Sequence, residues 1–545
     1  METMTFNLCD EPWLRVRQMD NTVKEVSLLD ALLNAHQYAD LAGETDTLDA
    51  AALRLLLAIL ITVFSRVNAK GEESPFDSSD DALTRWKELW ELGHFPEKPI
   101  RDYLDRWHER FWLFHPERPF WQVTEAAIGT EYKAPKLNGE LSESSNKLRL
   151  FAAYSGTGKA ELSYAQAARW LLFVNAFDDT SAKPKGKNLP SVGAGWVGKI
   201  GFIQAQGDNL FETLMLNMTF LKDGRELWSE ENKPCWELDE ARSGERTEIA
   251  MPQAPAQLLT LQSRRLLLQR KGDRVTGFSL LGGDFFQREN AFAEQMTIWQ
   301  APKPKKNEKI AYVPCRHDPS KQFWREFPAV FNDQDDSTHK PGVVSWVTTL
   351  QGRKVRAIDR SRLVRFRISG VQYGDKDFFI NDSFSDTLSF QTCLLDDMSS
   401  SWRTRIVDEI DRCEQAARLV GRFAQELATA AGDRNETAEA AGRAQLYFAV
   451  DQHFRQWLQG INAEQDDEDE KTAKWRSQAR RIAEELARQM IEQAGSEAFV
   501  GRRITYDKGK KTERTILFNA PLAYNRFLAR IRTLYPKEEQ QGGKA

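Results

Sequence analysis

From residue 402 onward the apolar residues adopt one period and keep it almost to the end of the chain. Trp402, Ile406, Ile410, Cys413, Val420, Phe423 and Leu427 recur at three- and four-residue steps. The spacing returns in Tyr447, Val450, Phe454 and Trp457, then in Trp475, Ile482, Leu486 and Met490, and again in Ala520, Tyr524, Phe527, Ile531 and Leu534. Each run places an apolar stripe along one side of a helix, and a stripe of that width must be buried. Four such helices joined by polar connectors predict a four-helix bundle. Before residue 398 no single period holds. The change of pattern predicts an α+β protein: a large mixed α/β domain over 1–395, followed by the bundle over 396–545.

At 545 residues the chain exceeds what one core supports and is long enough for two to four domains. In the N-terminal part, Thr5–Leu8 and Pro12–Val16 read as two short strands around a turn at Asp10–Glu11. Ser27 with Asp30 makes a capping box for a helix over Leu28–Ala35. Leu48–Arg66 is apolar on more than one face and reads as a core helix. Its apolar run, Leu55–Phe64, is too short to cross a bilayer. No export signal opens the chain, and a cytoplasmic location without membrane contact is expected. Residues 130–150 are polar and weakly patterned, which predicts a mobile loop. Ser181–Gly201 combines glycines, prolines and lysines and reads as a loop of defined backbone shape. Val364, Phe366 and Ile368 alternate with Arg365 and Arg367, which is strand periodicity, and a hairpin tip is expected near Gly374–Asp375.

A search for chemistry returns little. The five cysteines are scattered and unpaired in sequence, so neither a disulfide framework nor a zinc knuckle is indicated. The seven histidines form no metal-binding doublet. Gly156–Lys159 lacks both the earlier glycine, where Ala153 stands, and the following hydroxyl, where Ala160 stands, that a phosphate loop needs. The acidic run Asp466–Glu470 reads as loop and helix cap. No catalytic residue, metal or cofactor is implied.

The net charge of −5 argues against a protein that coats phosphates broadly, because each neutralised phosphate adds affinity. Nucleic-acid binding then requires local concentration of positive charge. Seven basic residues lie between Arg353 and Arg367 against one acid, Asp359. A second cluster holds Arg264, Arg265, Arg270, Lys271 and Arg274; a third holds Lys183, Lys185, Lys187 and Lys199. The bland alternative is that these are solvated strand faces and loops.

Several segments resemble one family. Phe6-Asn7-Leu8 with Glu11-Pro12-Trp13-Leu14 and Val16 opens the chain. Phe111-Trp112-Leu113-Phe114-His115-Pro116-Glu117-Arg118-Pro119-Phe120 follows, then Ala167–Leu171 with Asn175–Asp178, then Asn209–Leu214 with Leu216 and Asn217, Ile368–Gly374 and Tyr447-Phe448 with Phe454. In order and spacing they resemble the CasA family, the large subunit of the type I-E CRISPR surveillance complex Cascade. The resemblance implies a non-enzymatic protein partnered by other Cascade subunits and a guide RNA. Such a protein reads the short PAM in double-stranded DNA, opens the duplex and helps recruit a separate helicase-nuclease. It also implies sites. The wedge would be Gln372, Tyr373, Gly374, Asp375 and Lys376. A glycine and lysine loop of Lys185, Lys187, Asn188, Gly193 and Gly195 would approach the PAM minor groove. Arg353, Arg365 and Arg367 would hold phosphates, and the segment around Phe151 would dock on the guide RNA's 5′ handle and a neighbouring subunit. The wedge glutamine best known in the family has Lys376 in its place here, and the cysteine zinc cluster of some members has no counterpart. The competing reading is a helical scaffold or adaptor that binds only protein.

Overall fold

The computed structural model describes residues 4–536 apart from 145, 146, 150, 151, 153, 182, 184–187, 241, 302–309, 332–338, 353, 354, 434–436, 509–511 and 513. The chain forms two compact units. One comprises residues 1–321, 329–359 and 364–387; the other comprises 322–328, 360–363 and 388–545. The first mixes strands and helices and the second is mainly helical, the α+β arrangement that the change of period predicts.

The first unit is built around the helix Asp46–Phe64, nearly all of whose residues are buried. Thr45 caps it by accepting a hydrogen bond from the Leu48 N–H at 3.2 Å. By length and composition this helix could cross a membrane. Its sides are instead taken up within the unit by the helices Tyr164–Phe177 and Pro255–Leu259. A helix apolar all round still carries Arg54, and a buried guanidinium requires a partner. Glu294 supplies it through two parallel bonds of 2.8 Å.

The two short strands expected near the N-terminus form, and they pair with other segments, not with each other. Thr5–Asn7 pairs with Trp112–Phe114, while Leu14–Gln18 pairs with Val23–Val26 and Tyr38–Leu41. The intervening residues are bound locally: the Asn7 side chain accepts from the Cys9 N–H at 2.9 Å, and the Trp13 indole donates to the Leu8 carbonyl at 2.9 Å. Residues 130–150, expected as a loop, contain a strand and a short helix. Thr130–Lys133 pairs with Arg274–Gly282, which pairs in turn with Arg264–Lys271. The strand is polar because neither face is fully buried, so its pattern carries no apolar alternation.

A three-stranded sheet positions the hairpin of interest. Ile203–Gln206 and Ile380–Gln391 flank Leu363–Tyr373, with Ile203 opposite Ile368 and Gln206 opposite Arg365. Val364, Phe366 and Ile368 point into the core, and Arg365 stays exposed, as the alternation requires.

In the second unit the 32-residue helix Ser400–Ala431 packs against Ala438–Gln459, Glu468–Glu492 and Ala520–Leu534. Its first crossing is close: a Cβ on Gly442 would stand 2.7 Å from the Ala424 methyl, so glycine is required there. Aromatic side chains fill the interior. Trp324 stacks on Phe454 at 4.3 Å and donates to Asp451 at 2.8 Å, while Trp457 stacks on Trp475 at 5.5 Å. Asp467 caps the third helix, in keeping with its place in the acidic run. The strand pair Arg502–Tyr506 and Arg514–Phe518, between the third and fourth long helices, was not expected. Its residues are exposed or half-buried on both faces, which leaves no period to read.

Candidate nucleic-acid interface

The hairpin tip runs from Gln372 to Phe379 and is tied down from below. Gly374 lies in extended backbone and is not the turning residue; the left-handed positions are Lys376 and Asp377, with φ of 54° and 58°. Such backbone costs a side-chain-bearing residue about 1–2 kcal/mol per position and must be held by its surroundings. The holding groups are visible. The Asp377 N–H donates to the Gly374 carbonyl at 3.1 Å, and Gly374 donates to the Phe379 carbonyl at 2.8 Å. Thr180 donates its backbone N–H to the Asp377 carbonyl at 2.9 Å and its hydroxyl to the Lys376 carbonyl at 3.0 Å. Arg316 grips the Asp377 carboxylate with two bonds of 2.8 Å and donates to the Gly198 carbonyl at 2.6 Å. Gly374 is needed for space, since a Cβ there would meet the Phe379 ring at 2.8 Å.

The brace sorts the tip residues. Gln372, Asp375 and Lys376 are exposed, and so is Phe378, with 48 % of its surface open to solvent. Tyr373 turns inward: its hydroxyl donates to the Phe177 carbonyl at 2.6 Å and its ring lies 4.7 Å beneath the Arg316 guanidinium. Of the five tip residues predicted to meet DNA, Tyr373 is therefore committed to holding the hairpin.

Beneath the tip is a buried ionic cluster that spacing along the chain did not reveal. Asp178 follows the helix Tyr164–Phe177 and meets Lys183 at 2.9 Å and Arg264 at 2.6 Å. Lys136 meets the neighbouring Asp179 at 2.6 Å. Burial alone would raise the Asp178 carboxyl, but Lys183, Arg264 and Lys136 together outweigh it and hold that carboxyl well below the usual range. Burial pushes the Lys183 ammonium down to about 8 despite the opposing pull of Asp178. Lys183 and Arg264 were counted among basic clusters suited to phosphate; both are consumed internally. Arg265 is consumed as well, bound to Asp284 at 2.5 Å. The alternative of a solvated strand face fails for this pair too, because both arginines are buried.

Of the glycine and lysine loop, Lys185 and Lys187 lie outside the described residues. Asn188 is exposed and left-handed, with φ of 62°. Gly193 passes its carbonyl to Arg264 at 2.8 Å. Gly195 is buried: its N–H donates to the Asp178 carbonyl at 2.8 Å, and a Cβ would stand 2.4 Å from the Ala176 carbonyl. Its lack of a side chain serves packing against the preceding helix, where a groove approach was expected. Arg365 is exposed and reaches the Gly207 carbonyl at 2.6 Å and Asp208 at 3.2 Å. Arg367 is less open and pairs with Asp40 at 3.2 Å. Arg353 and Phe151 lie outside the described residues.

Lys159, in the glycine-containing turn that fails the phosphate-loop pattern, pairs with Glu143 at 2.6 Å. His115 accepts from the N–H groups of Glu117 and Arg118 at 3.1 and 3.0 Å, a local turn contact. Among the described residues no three His, Cys, Asp or Glu side chains gather as a metal site. Arg316, the residue that organises the tip, was missed because it stands alone in sequence, 61 positions before its partner.

These features define a class: an α+β protein whose mixed unit presents a braced, solvent-facing hairpin above a buried ionic cluster, accompanied by a helical bundle. The sequence pattern of CRISPR-associated protein Cse1 matches residues 7–486, and the chain belongs to that family. A curated relative, CRISPR-associated protein CasA/Cse1 of Thermus thermophilus, is 33 % identical over 338 residues, 60 % of this chain. The match spans 61 % of that relative's length. The crystal structure of Thermobifida fusca Cse1 superposes with a TM-score of 0.82 at 28 % identity, covering 98 % of this chain and 99 % of that one. A chain of a CRISPR RNA-guided surveillance complex shares the fold, with a TM-score of 0.71 at 16 % identity over 97 % and 99 % of the two chains.

Proposed function

We propose that this chain is the large subunit of a CRISPR RNA-guided surveillance complex, that it reads the PAM in double-stranded DNA, and that its hairpin starts strand separation beside it. The carrying observation is the tip itself, where Lys376 and Phe378 face solvent on a backbone held at both left-handed positions. A wedge must resist the force that closes the duplex, and parting one base step costs about a few kcal/mol. An apolar ring inserted at the step, with a cation beside it for the flanking phosphate, is a combination that DNA-bending proteins use repeatedly. Gln372 offers amide groups for a base edge. Base pairing with the guide reads the remaining sequence, so the protein needs few base contacts of its own.

The chain carries out no chemistry in this scheme. It is a cytoplasmic DNA reader that helps to bring a helicase-nuclease to the opened duplex. The family assignment and the shared fold of a surveillance-complex chain support assembly with other subunits and guide RNA. The test is R-loop formation on PAM-bearing duplex by the reconstituted complex. Lys376→Ala and Gln372→Ala are expected to lower its yield while leaving assembly intact. A complex that assembles with these variants and opens duplex normally would remove the wedge assignment. Failure of the wild-type complex to shift duplex DNA would leave the protein-only scaffold as the better account.

A further inference from the structure

A second feature is built on the Gly193–Lys199 segment. Lys199, Arg246, Arg264 and Arg288 converge on a pocket of about 60 Å³, with Gly193 and Trp196 in its wall. The charges that act most strongly on the Lys199 ammonium are those of Arg264, Arg246, Arg288 and Arg316, all of its own sign, and among the described residues no acid pairs with it. Asp284 is the acid in the wall, but its carboxylate is already bound by Arg265 at 2.5 Å and Arg242 at 3.2 Å. Arg264 is likewise spent, on Asp178 and on the carbonyls of Ser263, Asp179 and Gly193. It contributes mainly charge, because only one Nη1 N–H is left over from these bonds. Arg246 lies over the Phe285 ring at 4.2 Å, and Arg288 stands exposed at the mouth.

A mostly buried ammonium whose strongest charged neighbours are cations is costly unless something supplies negative charge. Surface lysines avoid the cost by reaching water; Lys199 is held with its Cε and Nζ 3.0 and 3.3 Å from where a Gly193 Cβ would stand. The volume limits the ligand. A water-sized group needs about 10–15 Å³, so the space takes roughly four to six such groups, which suits the oxygens of one tetrahedral oxyanion and is too small for a base or sugar.

We propose that this pocket binds a single phosphate group, and that in the assembled complex the group is a phosphodiester of the DNA strand passing the hairpin. The second half rests on the DNA-reading function proposed above. The first does not. The link to the hairpin is short: Lys199 follows Gly198, whose carbonyl takes the Arg316 bond and whose missing Cβ makes room for the Tyr373 hydroxyl. A phosphate at Lys199 would thus be registered against the same segment that holds the tip.

The test has two arms. In the first, the isolated full-length chain is titrated with inorganic phosphate and with sulfate at constant ionic strength, and binding is read by calorimetry. Lys199→Met and, at the exposed rim, Arg288→Ala are expected to weaken binding at least tenfold while unfolding no lower than the wild type. In the second, the reconstituted complex is titrated with duplex DNA across salt concentrations; losing one phosphate contact should lower the slope of log affinity against log salt by about one for Lys199→Met. Absence of oxyanion binding by the wild-type chain overturns the pocket. Oxyanion binding with an unchanged DNA slope overturns the phosphodiester and leaves a free oxyanion as the ligand. A wild-type complex that ignores duplex DNA, with oxyanion binding intact, overturns the DNA-reading function and the phosphodiester while the pocket stands.

Discussion

Removing Arg316 should disable the hairpin without disturbing the fold around it. The side chain makes two bonds of 2.8 Å to Asp377 and one of 2.6 Å to the Gly198 carbonyl. Both members of the ion pair are partly solvated, at 36 % and 30 % exposure, so the pair itself is held to about 1 kcal/mol. The carbonyl bond adds about 1 kcal/mol. Opposing these, Lys376 and Asp377 release about 1–2 kcal/mol each if they leave the left-handed region. Thr180 still holds their two carbonyls, so Arg316→Ala should tip the balance against the working conformation by about 2 kcal/mol, or roughly thirtyfold in its population. Stopped-flow R-loop formation on PAM-bearing duplex is expected to slow by that factor, with complex assembly by size exclusion unchanged. Arg316→Lys should restore only part of the rate, because an ammonium cannot make the bidentate grip. Wild-type rates in Arg316→Ala would refute the view that a braced tip is needed.

Phe378→Ala should reduce duplex opening at least tenfold while leaving the binding of an already-opened bubble substrate within twofold; equal loss on both substrates would count against a stacking role. Asp178→Asn leaves Lys136, Lys183 and Arg264 short of one counter-charge, and breaking a buried ionic cluster costs about 3–5 kcal/mol, so thermal unfolding of the isolated chain should begin several degrees lower. Gly198→Ala places a methyl where the Tyr373 hydroxyl now sits, 1.9 Å away, and should reduce R-loop formation as Arg316→Ala does. Burial first, and then repulsion from the surrounding arginines, lowers the Lys199 ammonium to about 8. Sulfate stays a dianion and the arginines stay charged, so sulfate affinity should be level below pH 7 and fall towards tenfold per pH unit above 8, with proton uptake on binding. A flat profile from pH 6 to 10 would exclude Lys199 as the group that binds the oxyanion.

Periodic elements were legible because their cause is local. The stripe from Trp402 to Leu427 became Ser400–Ala431, and the alternation at Val364–Ile368 became a strand whose arginine at 365 points outward. Elements with no buried face gave no such signal, which is why the strands Thr130–Lys133 and Arg502–Tyr506 went unseen. The site was legible only where its residues are neighbours along the chain. Gln372 and Lys376 could be placed on a hairpin, but Arg264 looked like a surface charge until Asp178, 86 positions earlier, appeared beside it. Arg316 and Lys199 act through groups distant in sequence. A run of basic residues therefore says little about which charges are free, since the acids that neutralise them are chosen by the tertiary fold.

In the proposed function, Gln372–Phe379 parts the first base pair beside the PAM. This step is tested most directly by a fluorescent adenine analogue placed at that pair in a duplex bound by the reconstituted complex, with a guide mismatched from its first position so that no RNA–DNA pairing can contribute. Emission should rise on binding through unstacking, and the rise should disappear with Lys376→Ala combined with Phe378→Ala. A signal that stays at the level of free duplex, or one that survives the double substitution, would contradict the account.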